Sequence, residues 1–356
     1  MDKLTLTKAA EQFTNRSGDI DIVPLGEGLI HQTYKVKANA LSSPIVLQAI
    51  NTSVFLHPGD IIDNYLLVYQ YLQSTKSSIR IPAPVPAENG CFLYKDEKTN
   101  YWRATCFIEN SYSPMMAVNE TAAYTVARSF ANFTHDLAGL PVKNLKDIIT
   151  GFHDLSTRYQ QFETALLQAS TEALLNSTHL ISELRQRKYL VNFYHQISKD
   201  ADYPDRVMHH DCKISNILFD KSSNLVLCPV DLDTVMPGKF FSDLGDMIRS
   251  MSCTVDENST DWGEIAIRPG YYAAVIKGYL EGIGDLLTAE ESRNIHYSGL
   301  LIIYMQTLRF LTDYLNGDIY YKTSYPEQNL NRALNQFILL EKLESHLLLE
   351  YGFTYR

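Results

Sequence analysis

The sequence predicts an α+β chain in two parts: a small antiparallel sheet lobe over residues 1–110 and a larger, mainly helical lobe over residues 111–356. Three observations predict it. Up to about Asn110 the chain is written in short alternating or β-branched runs separated by Gly, Pro, Asn and Asp, the signature of strands and turns. From Ala117 onward apolar residues recur at helical spacing over long segments. One β island, Arg206 to Asp233, interrupts the helical part, and a sheet followed by helices in this way gives a two-layered, two-part domain.

In order, "IDIVPL", "TYKV", "PIVLQAIN", "CFLY" and "YWRATCFIE" are the expected strands, with one helix at about Asp60 to Gln73. Helices are expected near Val118 to Leu137, Ser156 to Ala169, Thr171 to Lys199, Tyr271 to Leu280, Ala289 to Asn316 and Leu330 to Leu349. Within the island, "NILFD" and "NLVLCPVD" form two short strands joined by "KSSN", a hairpin signal. No internal repeat, low-complexity segment or long linker is visible.

Composition bounds the partners. With 45% hydrophobic and 20% charged residues the chain is an ordinary folded protein. Its net charge of -10 and lack of clustered Lys and Arg argue against a nucleic-acid surface. The five cysteines show no CxxC pair, so reduced thiols are expected. The N-terminal "MDKLTLTKAAEQF" lacks the apolar core of a signal peptide, and "LLIIYM" is stopped by Gln306 and Arg309, too short to span a bilayer. A cytoplasmic protein with no membrane partner is expected. Oligomeric state is not legible.

The chemistry concentrates in "VMHHDCKISNILFD", Val207 to Asp220. A dense polar knot between two apolar runs is a loop held at the edge of a core. The hairpin after it would fold Asp231 back towards Asp211 and Asn216, gathering oxygen donors. An amide oxygen and a carboxylate suit Mg2+, a hard cation that keeps waters and binds beside substrate phosphates. A remaining Asp can orient a hydroxyl and take its proton. The plain alternative is that these Asx residues cap turns. The adjacent His209 and His210 have no third ligand at metal spacing, so His210 is expected to shape the loop.

The ordered set H-D-x4-N followed by D-x-D resembles the aminoglycoside phosphotransferase and choline kinase superfamily, small-molecule kinases with the bilobal protein-kinase-like fold. The resemblance spans essentially the whole chain and implies ATP as co-substrate. It implies that Asp211 is the catalytic Asp, that Asn216 and Asp231 are magnesium ligands, and that Asp233 has a further metal or substrate role. In "FFSDLGDMIRS" it implies that Asp243 braces the catalytic-loop backbone; a helix N-cap also explains Asp243. In "PLGEGLIHQTYKV", Gly26 and Gly28 are candidates to approach the triphosphate, with His31 where a third glycine would fall. The nucleotide cleft is expected near Ile108 to Ser111, including Glu109. Gln48 stands where a phosphate-contacting lysine is expected and cannot supply its charge, so another cation, or magnesium and backbone donors, must serve the phosphates.

"LQAINTSVF", "VDLDTVMPGKFFSDLGDMIRS" and "LRFLTDYLNGDIYYK" narrow the resemblance to N-acetylhexosamine 1-kinases, which phosphorylate the anomeric hydroxyl of N-acetylglucosamine or N-acetylgalactosamine. Arg309 lies in a helix apolar almost all round. A buried guanidinium must be paired: either Asp313, four residues on, takes it, or sugar hydroxyls or the acetamido carbonyl do. Tyr314, Tyr320 and Tyr321, and Trp262, could stack on a sugar or be packing residues. "GFHDLSTRYQQF" resembles a family segment near the sugar site, with His153 or Asp154 as contacts. Two alternatives remain open: a kinase of another small acceptor (an amino alcohol, homoserine or an aminoglycoside), and an inactive kinase fold that only binds.

Overall fold

The computed structural model describes residues 2–14, 19–26, 30–39 and 41–354. Its mixed architecture is the α+β, protein-kinase-like fold expected from the sequence. The chain divides into two compact units, Met1–Ser113 with Gly139–Ile149 and Leu218–Met236, and Pro114–Ala138 with Thr150–Ile217 and Pro237–Arg356.

The first unit opens with helix α1 (Lys3–Phe13), capped by Asp2, whose carboxylate accepts from the Thr5 N–H at 3.0 Å. No helix was expected here. Strands β1 (Ile20–Pro24), β2 (Gln32–Ala38) and β3 (Ile45–Ile50) follow, then helix α2 (Pro58–Ser74) and strands β4 (Pro84–Val85), β5 (Tyr94–Lys95), β6 (Tyr101–Cys106) and β7 (Ser111–Tyr112). The main sheet is antiparallel in the order β1-β2-β3-β6-β4, with β5 also on β6. Strand alternation gives its two faces different work. Val36, Leu47, Ala49, Trp102 and Ala104 form a core with Ala9, Ala10 and Phe13 of α1. On the intervening positions Thr33, Gln48 and Arg103 stand opposite one another across three strands.

Asn64 explains why later segments belong to this unit. It is buried on α2, donates to the carbonyls of Lys146 and Val235 at 2.9 Å each, and accepts from the Lys146 N–H at 2.8 Å. A linear boundary at residue 110 leaves those segments out. The island hairpin pairs Ile217–Asp220 with Val226–Pro229. Its first strand meets β7 through Ser111 opposite Asp220 and Tyr112 opposite Phe219.

The second unit holds helices α3 (Glu120–Asp136), α4 (Leu155–Gln168), α5 (Thr171–Gln186), α6 (Tyr189–Ile197), α7 (Phe241–Met251), α8 (Pro269–Ile283), α9 (Ala289–Arg293), α10 (Tyr297–Leu315) and α11 (Gln328–Tyr351). The expected helix over 171–199 is thus two, and that over 289–316 is also two. Buried Leu300 to Met305, Leu308, Phe310 and Leu311 make α10 the centre of the unit. Gly245 lets α7 lie against it, since a Cβ there would collide with Ser298 and Ile302. The five cysteines are free thiols. Among the described residues no helix is long and apolar enough to cross a membrane.

Candidate active site

In the second unit the loop after strand Arg206–Met208 is fixed from beneath. Asp243, fully buried in the first turn of α7, accepts from the backbone N–H groups of His209 at 2.9 Å and His210 at 2.7 Å. It therefore braces this loop rather than capping its own helix. The support matters because His210 carries a left-handed backbone, φ 65°, a conformation that persists only where surroundings impose it. The His210 ring is buried, with Nδ1 2.6 Å from Ser242 Oγ and 3.4 Å from His153 Nδ1. His209 packs edge-on against Phe130 and Phe133.

This geometry presents Asp211. Its carboxylate accepts from Lys213 Nζ at 3.0 Å and from Asn216 Nδ2 at 2.8 Å, and Asn216 also donates to the Asp211 carbonyl at 2.9 Å. Burial opposes ionisation, yet Lys213, His209 and Asn216 together hold the Asp211 carboxyl below its ordinary range. It is thus a carboxylate at neutral pH, able to accept a proton from a hydroxyl. Fixing the Asn216 amine on Asp211 directs its amide oxygen away, as a hard donor for a cation. Lys213 belongs to the polar knot but had no role legible from sequence; here it pairs with Asp211, two residues before it.

Of the acceptor residues expected from sequence, Arg309, Tyr314, Tyr320 and Tyr321 lie on or just after α10. Arg309 lies with its guanidinium 4.9 Å from the Phe152 ring and 5.6 Å from Tyr321, and donates to Gln306 at 3.1 Å. Asp313 is occupied elsewhere: it accepts from the Tyr320 N–H at 2.7 Å, the Tyr321 N–H at 2.8 Å and Asn329 at 3.0 Å. The pairing of Arg309 with Asp313 does not form, because Asp313 holds the turn after α10. Arg158 donates to the Phe152 carbonyl and Gln161, and burial followed by the charge of Arg309 pushes it down to about 10. Among the described residues neither arginine has a carboxylate ion pair. His153 stacks on Phe152, and burial, then His210 and Arg309, push it well below its ordinary range. Asp154 is the N-cap of α4, accepting from the Thr157 N–H at 3.1 Å. Tyr320 is exposed and edge-on to Tyr321 at 4.8 Å. Tyr314 accepts from Asn176 at 3.3 Å. Trp262 is exposed on the short turn Trp262–Glu264.

In the first unit, Gly26 has φ 70° and open space around it, in the turn between β1 and β2. Gly28 lies outside the described residues. Gln48 donates to Thr33 Oγ1 at 3.2 Å and accepts from Arg103 Nε at 3.0 Å. The Arg103 fork then grips Asp233 through both terminal nitrogens, one of them at 2.8 Å. His31 Nε2 meets the same carboxylate at 2.5 Å, while His31 Nδ1 accepts from the Asn51 N–H. Asp233 is only 3% exposed. Against the cost of burial, Arg103 and His31 hold its carboxyl well below the usual range. Both oxygens of Asp233, expected to have a metal or substrate role, are engaged here by an internal ion pair. Arg103 was missed, although a charge inside the strand "YWRATC" signalled it. Asp231, by contrast, is exposed on a left-handed backbone, φ 62°. Glu109 is exposed in the turn before β7, where Asn110 ties to Asp220 at 2.9 Å and Ser111 Oγ donates to the Ile108 carbonyl at 2.6 Å. Among the described residues no group of three or more His, Cys, Asp and Glu is arranged for a metal.

Residues 21–289 match a family model described as APH, the phosphotransferase enzyme family. The chain belongs to this family. Its members are small-molecule kinases that act on hydroxyl acceptors, and this chain is a phosphotransferase of that kind. Solved structures share the fold. A microcompartment-associated aminopropanol kinase is 15% identical with a TM-score of 0.68, over 99% of this chain and 100% of that one. A spectinomycin phosphotransferase, solved with ADP and spectinomycin, is 12% identical with a TM-score of 0.56, over 96% and 94%. An aminoglycoside 2'-phosphotransferase in its GDP complex is 13% identical with a TM-score of 0.59, over 97% and 99%.

Proposed function

We propose that this phosphotransferase moves the γ-phosphoryl group of ATP to the anomeric hydroxyl of an N-acetylhexosamine, giving the sugar 1-phosphate and ADP. The observation that carries the choice of acceptor is the pair Arg158 and Arg309, set among Phe152, Tyr320 and Tyr321 and lacking carboxylate partners among the described residues. Guanidinium groups without a carboxylate ion pair, beside aromatic faces, favour a neutral acceptor with a carbonyl and hydroxyls, and repel an ammonium group. Asp211 orients the C1 hydroxyl for in-line attack and takes its proton as the bond to phosphorus forms. Lys213, beside it, neutralises charge on the transferring group; Arg103 is committed to Asp233. Asn216 and Asp231 would hold Mg2+, whose chemistry is to offset charge on the nucleotide phosphates. Gly26, Gly28 and Glu109 belong to the nucleotide side of this reading, and Trp262 to the acceptor side. The setting is cytoplasmic.

A second reading is favoured by the likeness to the aminopropanol kinase and by the chain's net charge of -10: the acceptor is an amino alcohol, homoserine or an aminoglycoside. The test is ADP release with purified protein, ATP and magnesium across N-acetylglucosamine, N-acetylgalactosamine, galactose, choline, homoserine and kanamycin, with phosphorus NMR of the product. An anomeric phosphate doublet from an N-acetylhexosamine is expected. Turnover with cationic acceptors alone overturns the sugar reading, and nucleotide binding without turnover points to an inactive fold.

A further inference from the structure

Asp246 has no part in the mechanism above, yet it sits beside it. It lies three residues beyond Asp243 on α7, and positions three apart share a helix face. Asp243 on that face holds the backbone of His209 and His210, which brings Asp246 towards Asp211. Electrostatics report the same proximity: burial raises the Asp246 carboxyl, Arg249 lowers it, and the charge of Asp211 raises it again.

The two oxygens of Asp246 are used unequally. Arg249 Nε and its terminal nitrogen both fall on Oδ1, at 2.9 Å each. Oδ2 is buried and has no hydrogen-bond partner among the described residues, in a residue only 5% exposed. A buried carboxylate oxygen without a donor is costly, and each such group in a native protein calls for a physical explanation.

The surroundings say what is missing. Arg249 continues to Glu257 at 2.7 Å, and Glu257 to Arg332. Arg332 lies 5.1 Å from the Tyr321 ring, Tyr321 meets Arg309, Arg309 meets Phe152, and the next residue, His153, returns to His210. The contacts form a continuous chain from Asp246 through the acceptor arginine to His210 of the catalytic loop. A second atom on the same chain of contacts, Tyr321 Oη, is buried with no hydrogen-bond partner among the described residues.

We infer that Asp246 is an acceptor-binding residue whose Oδ2 receives a hydrogen bond from a second hydroxyl of the acceptor, distinct from the one phosphorylated at Asp211. This rests on the acceptor being polyhydroxylated, as in the reading above, and adds the residue that selects among such acceptors. No bond is made or broken at Asp246.

The test is a cycle between enzyme and acceptor. The value of kcat/KM is measured for native protein and Asp246→Asn with the N-acetylhexosamine and with its 3-, 4- and 6-deoxy analogues, alongside thermal melting. Asp246→Asn should lose about ten- to hundredfold on the parent sugar. One deoxy analogue should weaken the native enzyme by a similar factor while leaving Asp246→Asn nearly indifferent. Equal losses on every analogue mean that Asp246 only orients Arg249, and overturn the inference. If Asp246→Asn does not melt cooperatively, Asp246→Glu, which keeps a charge for Arg249 and displaces the oxygen, takes its place with the same expected coupling. Native turnover confined to acceptors with one hydroxyl overturns both readings. Coupling on a different polyhydroxylated acceptor keeps Asp246 and sinks the N-acetylhexosamine.

Discussion

Replacing Arg103 with Met tests the charge network that stands where a phosphate-binding lysine was expected. Asp233 and Arg103 have side chains only 4% and 6% exposed, joined through both fork nitrogens. Methionine leaves a buried carboxylate with His31 alone. Removing one partner of such a pair costs about 3–5 kcal/mol, and at roughly 3 °C per kcal/mol the melting of the first unit should fall by about 10–15 °C. The double variant Arg103→Met, Asp233→Leu removes both charges and should recover most of that loss. Because the folded Asp233 carboxyl lies below its ordinary value, the pair's contribution is full above about pH 4 and is lost only as pH falls further. Scanning calorimetry and urea titration at pH 5 to 8 should therefore show a constant penalty for the single variant. A penalty under about 1 kcal/mol, or a double variant no better than the single, would refute the coupling.

Four further outcomes follow from the site. Asp211→Asn should reduce kcat by orders of magnitude with unchanged melting, and near-normal turnover would remove Asp211 from the mechanism. Lys213→Met removes the charge that keeps Asp211 ionised, so turnover should fall and the acid limb of the pH–rate profile should move to higher pH; an unmoved limb argues against it. Asp243→Asn turns one acceptor of the His209 and His210 N–H groups into a donor and should cost roughly 2 kcal/mol in urea titrations while depressing kcat. His153 is held neutral by burial and neighbouring cations. The unfolded chain therefore binds the extra proton, and stability should fall as pH drops below about 6.5; His153→Gln should flatten that dependence.

Strands β1 to β3 and β6, the hairpin and the helical character beyond Ala117 were legible because alternation and helical spacing are local properties. Helix α1 was not, since its apolar face, Ala9, Ala10 and Phe13, is short and gains its meaning only against Trp102 and Leu47. In the site, residues that work through neighbours in sequence, such as Asp211 with Asn216, stood out as a motif. The ion pairing of Asp233 was not legible because its partners, His31 and Arg103, lie 202 and 130 positions away. Arg309 was weighed against Asp313 on helical spacing, but the turn holding Tyr320 and Tyr321 claims that carboxylate, a competition no spacing rule contains.

The position of Asn64 bears on how the protein is made. Its amide is completed by Lys146 and by Val235, which lies 171 residues further along the chain. A nascent chain that has emerged only through Ser113 has built most of the sheet, yet its helix α2 still presents that side chain to water. Those bonds of Asn64 cannot form until almost the whole island has left the ribosome, after much of the second unit has been synthesised. Closing so large a loop is slow. An expressed fragment ending at Ser113 should accordingly stay loosely packed, and supplying residues 139–236 within the same chain should restore its cooperative melting.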